Sequence, residues 1–573
     1  IVKRKGIESQ KDAELEKATS ELYAYEFHKG RMKENTLQYA GLPVSEARNR
    51  VRADLIKEEK ADTIYEIMNS PIFCRCEAEC VVKIFENQWF INYGDPSWKA
   101  LARECTSQMS LLPEDIRLEF EYTIGWLREK ACARRSGLGT ALPWDKDWVI
   151  ESLSDSVIYM TYYTISKYIS TIPVEKLNEE VFDYIFLGRG DLKEVAAKAE
   201  LEPRLLEDMK REFTYFYPLD SRHSGRDLVP NHLTFFIFNH AAIFPKELWP
   251  RQVVVNGSVL MGGKKMSKSF GNIIPLRDAV KTYDADPLRL AILATAELLQ
   301  DADLSIELIG SFRERLERFY TFTEEVMRMQ DVEGEAKLMS VDRWLLSRLQ
   351  RHIIGISEAM EKLRVREAIQ YTIYILDQDI QWYMRRTLSD TSPDRRIVKA
   401  WLLGEVLDVR IRLLASFAPF ICEELWEMMG KQGLVAQAEW PKPDDKKIDD
   451  EAEEAEDLIA RTLEDISNII RVTKIKPRRI VLYTASPWKH KAYHKVLKMI
   501  QEGSINMQTL MKYLLDDTSL KEKAKEVSKY VKKLLDEVSS LPKSLKEKRM
   551  KIDGLDELKV LCGAVEFYGR EFL

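Results

Sequence analysis

The spacing of hydrophobic residues divides the chain into a mixed part and a helical part. Before about Asp301, short apolar runs such as 251–255 alternate with stretches of helical spacing, which predicts strands and helices in turn. Beyond Asp301, apolar residues recur three and four positions apart through 344–356, 365–386 and 397–417. The sequence therefore predicts an α/β region followed by an α-helical bundle.

The pattern predicts five segments. The acidic, proline-bearing stretch 442–456 is expected to be a linker, a strand is expected at 479–484, and 521–551 carries eleven basic against five acidic side chains. That excess favours an RNA-facing helix, although a charged amphipathic helix is the commoner explanation. The segments are 1–70 (helix and loop), 71–145 (β-rich connection), 146–300 (α/β core), 301–440 (helical bundle) and 441–573 (linker and a small C-terminal α/β region).

Several local patterns predict structure near the α/β core. Tyr215–Leu219 is expected to form a strand, and the dipeptide Asn256-Gly257 is expected to turn the strand 251–255 into a hairpin with 258–261. Asp286 before Pro287 is typical of a helix N-cap. A tyrosine stripe at helical spacing is more often core than pocket, and Glu151 with its neighbouring serines is a candidate lining of the substrate end. The stripe consists of Tyr159, Tyr162, Tyr163 and Tyr168.

A glycine-bounded loop at 262–272 is the strongest chemical signal. Its sequence, Gly-Gly-Lys-Lys-Met-Ser-Lys-Ser-Phe-Gly-Asn, places the ammonium groups of Lys265 and Lys268 beside the hydroxyls of Ser267 and Ser269. Glycine permits close backbone approach, and the cations suit a polyphosphate whose charge shifts toward the leaving group. The alternative, a solvated lysine and serine surface loop, explains the paired glycines less well.

A second signal lies at 220–244, where a turn containing glycine precedes a helix. Open α/β sheets bind nucleotides at such a turn. Gly225 would let the backbone approach a nucleoside, Asp227 would accept hydrogen bonds from ribose hydroxyls, and His232 would lie one helical turn further on. Taken alone, His232 is more simply a buried core histidine, but its neighbours favour the binding interpretation.

Two arginine pairs and three cysteines are candidates for further sites. Arg134-Arg135 precede glycines and suit an RNA or pyrophosphate backbone, or else a ribbon with solvated arginines. Arg385-Arg386 are expected on an exposed helix face, either solvated or touching tRNA. Cys74, Cys76 and Cys80 could ligate zinc, but a fourth ligand is not evident and a tight turn with free thiols is favoured.

Composition narrows the class of protein. The 573 residues are 45% hydrophobic and 31% charged, with a net charge of −6 and seven cysteines. A molecule of this charge binds RNA through local patches, and so few cysteines favour a reducing compartment. There is no run of eighteen apolar residues, so we expect a cytoplasmic protein without a membrane span. The chain begins with Ile1, which we interpret as the start of a fragment of a longer chain.

Four segments taken in order resemble the leucyl-tRNA synthetases of the archaeal and eukaryotic-cytosolic type, within the class I aminoacyl-tRNA synthetases. They are 134–145, 148–163, 222–244 and 264–272. The resemblance implies that Lys265 and Lys268 act on the leaving pyrophosphate and that Gly225, Asp227, His232 and Met266 contact ATP. It also implies leucine, ATP with Mg²⁺, and tRNA(Leu) as ligands. The implied fold is the second half of a Rossmann-type catalytic domain, a helical anticodon-binding-type domain and an incomplete C-terminal tRNA-binding region.

The sequence departs from that family in two ways. The His-Ile-Gly-His signature of the family and the motifs of its editing domain are absent, and 1–70 resembles the segment that returns from that domain. The full-length enzyme would be a monomer, or a partner polypeptide would supply the other half. An isoleucyl- or valyl-type synthetase, and a non-catalytic tRNA-binding half of a split enzyme, are the alternatives.

Overall fold

The computed structural model describes the whole chain except residues 2, 10, 13, 75–77, 85, 267–270, 330–333, 335–336, 502, 504–506, 543–545, 548, 551–554 and 573. The chain forms two compact units, Ile1–Trp89 and Phe90–Leu573. In its described residues, no helix is both long enough and apolar enough to cross a bilayer.

The first unit is small and largely exposed. It contains helices α1 (Leu15–Lys29) and α2 (Val44–Lys57), with short 3-10 turns at Lys3–Lys5 and Glu34–Tyr39. Among its described residues, the fully buried hydrophobic side chains are Ile7, Ala18 and Ala47. Three side chains, two of them alanines, bury little apolar area, so hydrophobic burial contributes little to the stability of this unit.

The second unit begins with a mixed α/β part. Its core is a parallel sheet in the order β2-β8-β7, packed against helices through residues such as Leu111, Phe236 and Val253. The elements are β1 (Phe90–Asn92), α3 (Pro96–Gln108), β2 (Ser110–Leu112), α4 (Arg117–Trp126), β3 (Glu129–Ala131), β4 (Ala133–Arg134), β5 (Ala141–Leu142), β6 (Asp145–Ile150), α5 (Ser152–Asp155), α6 (Tyr159–Ile169), α7 (Glu179–Phe182), α8 (Leu192–Ala199), α9 (Pro203–Phe216), β7 (Arg222–Gly225), α10 (Thr234–Ile243), β8 (Gln252–Asn256), β9 (Val259–Met261), β10 (Lys264–Lys265), α11 (Leu276–Tyr283), α12 (Ala285–Leu293) and β11 (Ala302–Leu304).

The rest of the second unit is helical where it is described. One buried cluster joins α11 and α12 to the long helices, with Leu345, Leu376 and Leu407 at its centre. The predicted bundle is confirmed. Its helices, with those that follow, are α13 (Ile306–Met329), α14 (Ser340–Glu361), α15 (Val365–Ile369), α16 (Leu376–Arg386), α17 (Pro393–Leu414), α18 (Pro419–Met428), α19 (Asp450–Thr473), α20 (Pro487–Gln501), α21 (Met507–Leu515), α22 (Thr518–Lys521), α23 (Ala524–Ser540), α24 (Glu557–Gly563) and α25 (Val565–Phe572).

Three predicted elements differ in the structure. The last seven residues of the expected linker 442–456 are helical, because α19 begins at Asp450 with Asp449 as its side-chain cap and buries Ala452 among others. The expected strand 479–484 does not form. The expected strand 215–219 is also wrong, because α9 continues to Phe216 on an apolar face that includes Phe213, and the next strand, β7, begins only at Arg222.

Three of the four tyrosines of the stripe are exposed, contrary to expectation, and only Tyr168 packs against the core. Tyr162 and Tyr163 are 48% and 65% exposed, and α6 instead buries Thr164 and Ile165. The tyrosines recur with the period of a helix, but three of them lie on the face of α6 that is turned to solvent. The period shows that a helix forms without showing which face the rest of the fold covers.

Candidate functional site

The carboxyl ends of two parallel strands meet at the predicted nucleotide turn. β7 and β8 are paired in parallel with Gly225 beside Asn256, so both strands end at one edge of the sheet. A single 3-10 turn, Arg226–Leu228, and a π-helical turn then lead from β7 into α10. This edge is where open α/β sheets bind ligands, and it places Gly225 and Asp227 together as expected.

The space beside the Cα of Gly225 is occupied by the side chain of Asp227. The backbone of Gly225 is extended, with φ −74° and ψ 150°, so any residue type could adopt the conformation. A Cβ added there would, however, lie 2.7 Å from Oδ1 of Asp227. The exposed carboxylate of Asp227 therefore folds back over the Cα of Gly225, and the backbone and carboxylate face solvent at the strand end.

His232 is fixed by two protein partners. The guanidinium Nη2 of Arg222 lies 3.3 Å from its Nδ1, and its Nε2 lies 3.0 Å from the carbonyl oxygen of Ser156 and 2.9 Å from the Ser156 hydroxyl. A guanidinium only donates and a carbonyl only accepts, so Nδ1 is the acceptor and Nε2 carries the proton. Burial lowers the pKa of His232, and the charge of Arg222 acts in the same direction. Its neutral ring joins β7 to the turn after α5.

Arg222 is the member of this group that sequence reasoning did not single out, whereas Ser156 is among the serines near Glu151 that were expected to line the substrate end. The Arg222 guanidinium carbon stands 4.7 Å from the ring centroid of Phe236 and 5.9 Å from that of Tyr159. The arginine thus holds the strand end against α10 by a cation–π contact. Arg222 is adjacent to a predicted turn, but nothing in its sequence neighbours indicates that it would face inward.

The hairpin of the lysine loop forms one strand later than predicted, between β9 and β10 rather than between β8 and β9. β9 pairs antiparallel with β10, with Lys264 opposite Met261 and Lys265 opposite Leu260. Gly262 and Gly263 form the two-residue turn between them with φ of 59° and 72°. Two positive φ values are the signature of the tight hairpin turn that glycine favours.

The Asn256-Gly257 hairpin is a wrong prediction. β8 belongs to the parallel sheet, whereas β9 lies in another sheet in the order β10-β9-β11. Gly257 marks the passage between the two sheets, where its N–H donates to the carbonyl oxygen of Leu298 at 2.6 Å. A glycine is needed here because another backbone segment approaches closely.

The hairpin is anchored on the side away from its lysines. The N–H of Gly263 donates to both carboxylate oxygens of Asp303 at 3.0 Å, and Asp303 lies on β11, parallel to β9. Lys265 is exposed, and its carbonyl oxygen accepts a hydrogen bond from the Asn272 side chain at 3.2 Å. Met266 is half-buried. The predicted catalytic residues Ser267, Lys268 and Ser269 lie outside the described residues.

Chain connectivity limits the distance between the two predicted parts of the site. Gly225 is the strand partner of Asn256, and Lys265 is the strand partner of Leu260, four residues further along the chain. With strands about 5 Å apart and at most about 3.6 Å per residue, the Cα atoms of Gly225 and Lys265 are separated by at most about 25 Å. The hairpin therefore starts from the same edge of the sheet as the nucleotide turn.

Comparison with known proteins shows which families parts of the chain resemble. Residues 207–315 match the family model "tRNA synthetases class I (M)", and 342–482 match "Anticodon-binding domain of tRNA ligase". A leucine–tRNA ligase of Methanothrix thermoacetophila is 43% identical over 568 residues, which are 99% of this chain and 58% of the relative. One of Methanosarcina barkeri is 44% identical over 543 residues, which are 94% of this chain and 55% of the relative.

The chain is thus similar to the class I tRNA synthetases over the first matched range and to the anticodon-binding domain of tRNA ligases over the second. Both the Gly225 edge and the lysine hairpin fall within the first matched range. The chain spans somewhat more than half the length of the curated relatives it matches. A solved structure of Mycobacterium tuberculosis methionyl-tRNA synthetase with methionyl-adenylate aligns with a TM-score of 0.46 and 17% identity, over 61% of this chain and 64% of that one.

Arg385 and Arg386, which were expected to touch tRNA, form ion pairs with carboxylates of this chain. Arg386 forms a two-bond ion pair with Glu456 at 2.9 and 3.2 Å, and its side chain is 10% exposed. Arg385 pairs with Glu571 on α25 at 2.5 Å. Both arginines therefore attach later helices to α16. Arg386 is too buried to present its charge to an RNA backbone, which corrects the expectation of an exposed pair.

The other arginine pair organises its own ribbon. Arg134 donates from Nη2 to the carbonyl oxygen of Leu138 at 2.6 Å and so closes the glycine-containing loop that follows it. Arg135 is exposed, with its guanidinium carbon 4.7 Å from the ring centroid of Trp148 on β6. Arg135 thus keeps an accessible charge, whereas Arg134 is committed to the loop.

Glu151 accepts from the N–H of Leu153 at 2.8 Å and caps α5.

The cysteine segment corrects part of each expectation made for it, the candidate zinc site and the favoured tight turn with free thiols. Cys74 is disulfide-bonded, which removes it as a thiolate ligand, while Cys80 carries a free thiol and Cys76 lies outside the described residues. The N–H of Cys74 donates to Ala78 and that of Cys80 to Ile72, so the segment is the expected tight ribbon. No group of three or more His, Cys, Asp or Glu side chains arranged for a metal occurs in the described part of the chain.

Proposed function

We propose that this chain is part of a leucine–tRNA ligase, which uses ATP to form leucyl-adenylate and transfers the leucine to tRNA(Leu). The observation that carries the proposal is the identity of 43% with a leucine–tRNA ligase along 99% of the chain. The placement of Gly225 and the lysine hairpin at one sheet edge supports it, because the reaction requires a nucleotide and a mobile cation at the same place.

In the proposed first step, a carboxylate oxygen of leucine attacks the α-phosphorus of ATP. The bond from that phosphorus to the bridging oxygen breaks, and pyrophosphate leaves with the electron pair. Lys265 and Lys268, with Ser267 and Ser269, would stabilise the charge that gathers on the leaving group. In the second step, a hydroxyl of the terminal ribose of tRNA attacks the leucyl carbonyl carbon, and AMP leaves.

The proposed adenosine site is the end of β7. The backbone at Gly225 would lie close to the nucleoside, and the exposed carboxylate of Asp227 would accept hydrogen bonds from the ribose hydroxyls. Met266 would lie beside the nucleotide. His232 would act through position, because its ring nitrogens already hold Arg222 and Ser156. The expected contribution of His232 is therefore a strand end of fixed shape rather than a direct bond to ATP.

Mg²⁺ would enter with the nucleotide. Mg²⁺ commonly binds substrate phosphates and water with one or two carboxylates, so the lack of a three-ligand cluster in the described residues fits this mode. When bound, the ion would neutralise phosphate charge. The lysines of the hairpin would act on the same charge from the protein side. We place the activity in the cytoplasm, where tRNA charging for translation occurs.

The proposal is tested by leucine-dependent exchange of pyrophosphate into ATP. The polypeptide is assayed both alone and with a polypeptide that supplies the remaining length of its relatives. We expect exchange with leucine and much weaker exchange with isoleucine or valine, because an apolar pocket separates such side chains by about 10–200-fold. Faster exchange with isoleucine or valine would assign the chain to those enzymes instead.

A second candidate is a non-catalytic tRNA-binding part of a split enzyme. We consider this candidate because the chain spans 55–58% of the length of its relatives. Such a chain would bind tRNA with an affinity that falls steeply with salt and would make no adenylate until the partner polypeptide is added. Exchange by the chain alone would exclude this candidate.

A further inference from the structure

A cavity in the helical bundle contains two arginines that the proposed synthetase site does not use. It lies between α13, α16 and α17 and has a volume of about 330 Å³. Arg315 on α13 and Arg410 on α17 line it, and the buried Nε of each has no hydrogen-bond partner among the described residues. An unpaired buried N–H of a cation is costly, so a site that keeps two of them calls for a ligand.

Arg410 is the more unusual of the two. It is 4% exposed. Among the described residues, its guanidinium donates one hydrogen bond, from Nη1 to Asp377 at 3.2 Å. Asp377 also accepts from Gln381 at 2.9 Å. Arg315 and Arg410 line the same cavity, and burial lowers the pKa of Arg410. The single hydrogen bond from Arg410 to Asp377 leaves most of the guanidinium donors of the two arginines unused among the described residues.

The charge of the cavity favours a monoanion. Arg315, Arg318 and Arg410 line it, against Asp377 and Glu325. Arg318 also approaches Glu314 at 3.8 Å, on the exposed surface of α13. Counting Glu314, the carboxylates equal the arginines in number, but Arg315 forms no ion pair among the described residues, so a ligand carrying one negative charge would pair with it.

The rest of the wall is apolar. Arg410 stands 4.4 Å from the ring centroid of Phe319, and Arg315 stands 4.3 Å from that of Tyr374. Phe319, Ile380 and Leu414 are buried side chains that line the same cavity. An inorganic anion would leave this surface uncovered, and an RNA phosphate could not reach a guanidinium that is 4% exposed. A carboxylate with an apolar body would pair with the arginines and also cover the apolar part of the cavity wall.

We propose that this cavity binds a small organic carboxylate with an apolar body, held by Arg315 and Arg410. The inference concerns the bundle and does not depend on the proposed aminoacylation activity. The carboxylate oxygens would accept the unused guanidinium N–H groups, and the hydrocarbon part would cover Phe319 and Leu414.

The test is calorimetric titration of the full chain with hexanoate, hexanol and inorganic phosphate. We expect hexanoate to bind with a dissociation constant on the order of 1 mM, and hexanol and phosphate to bind at least about tenfold more weakly, the effect of one charge-assisted hydrogen bond. Equal binding of hexanol, or no binding of hexanoate at 10 mM, would overturn the proposal.

Variants locate the binding. Arg315→Gln should weaken hexanoate binding by roughly tenfold or more, and Met384→Trp, which fills the cavity from its half-buried rim, should abolish binding without removing an arginine. Arg328→Gln, at a 76% exposed side chain on the same helix, should change nothing. Hexanoate binding unchanged in both cavity variants would refute the site. Absent hexanoate binding together with tRNA affinity lost in Arg315→Gln would assign the arginines to RNA and also refute it.

Discussion

The backbone of Gly257 passes so close to that of Gln300 that a Cβ on residue 257 would lie 2.3 Å from the Gln300 carbonyl oxygen. The N–H of Gly257 also donates to Leu298. This contact lies where the chain passes from β8 in the parallel sheet to β9 in the sheet of the lysine hairpin. Gly257 therefore sets the position from which the hairpin leaves the nucleotide edge.

Gly257→Ala is expected to lower the free energy of unfolding by at least about 2 kcal/mol, because backbone atoms at 2.3 Å cannot move aside as a side chain can. Urea unfolding followed by circular dichroism measures it. Gly310→Ala is the matched control on α13, where a Cβ meets nothing within 4 Å. There alanine should stabilise by about 0.5–1 kcal/mol through helix propensity. Equal effects of the two changes would contradict the close approach.

Asp284 holds a backbone conformation that normally belongs to glycine. Its φ is 64° and its ψ is 161°, between α11 and α12, and its exposed carboxylate pairs with Arg313. Asp284→Gly and Asp284→Ala both lose the ion pair and differ mainly in backbone strain. We expect the glycine variant to be more stable by about 1 kcal/mol or more, even against the greater freedom of unfolded glycine. Denaturation midpoints of the two variants decide it, and an alanine variant of equal stability would disprove the strain.

Asp286 caps a helix 133 residues away rather than its own. Its buried carboxylate accepts from the N–H of Ile421 at 2.7 Å and of Phe420 at 3.4 Å, at the start of α18. Asp286→Ala should cost about 2 kcal/mol, since a cap is lost and buried N–H groups remain unpaired. Asp278→Ala, in the exposed first turn of α11, should cost less than about 0.5 kcal/mol. The same small cost at both positions, measured by chemical unfolding, would show that the cap does not hold α12 to the bundle.

His240 is expected to make the protein sensitive to acid. Burial lowers the pKa of His240 to about 4. Below the unfolded value of 6.5, the unfolded chain takes up a proton that the folded chain does not, so stability falls with pH between about 6.5 and 4. This one group should remove about 2 kcal/mol between pH 7 and pH 5.

The His240 effect is measured by urea unfolding at the two pH values. In His240→Asn, the loss between pH 7 and pH 5 should be smaller than in the unchanged protein by that amount. His223→Gln, at an exposed position on β7, should leave the loss unaltered. If the two variants show the same pH dependence, the buried histidine is not its source.

Lys268→Ala tests the proposed chemistry directly. Removing one donor that acts on the leaving group should reduce leucine-dependent pyrophosphate exchange about 100-fold or more. Lys281→Ala removes an exposed lysine of α11 and should leave exchange within about twofold. Exchange at the unchanged rate in Lys268→Ala would remove the loop from the mechanism, and a lower rate in both variants would show a general effect of charge.

Local features of the sequence were sufficient to predict much of the fold. The apolar spacing predicted α14, α17 and the helical stretch from Val365 to Arg386, because a helix that packs on one side must repeat its apolar residues every three or four positions. A glycine shortly before a helix predicted the Gly225 edge, although Gly225 ends strand β7 where the sequence predicted a turn. These features depend on neighbours close in sequence.

Tertiary structure decided the features that depend on distant partners. The sequence shows that Asn256-Gly257 breaks a strand, but only the approach of Leu298 and Gln300 converts the break into a passage between two sheets. In the same way, Arg386 turns inward because Glu456, seventy residues later, lies opposite it, and Arg222 meets His232 only when β7 docks against α10. The energy of such contacts depends on which groups the folded chain brings together, and the local pattern of one segment does not contain that information.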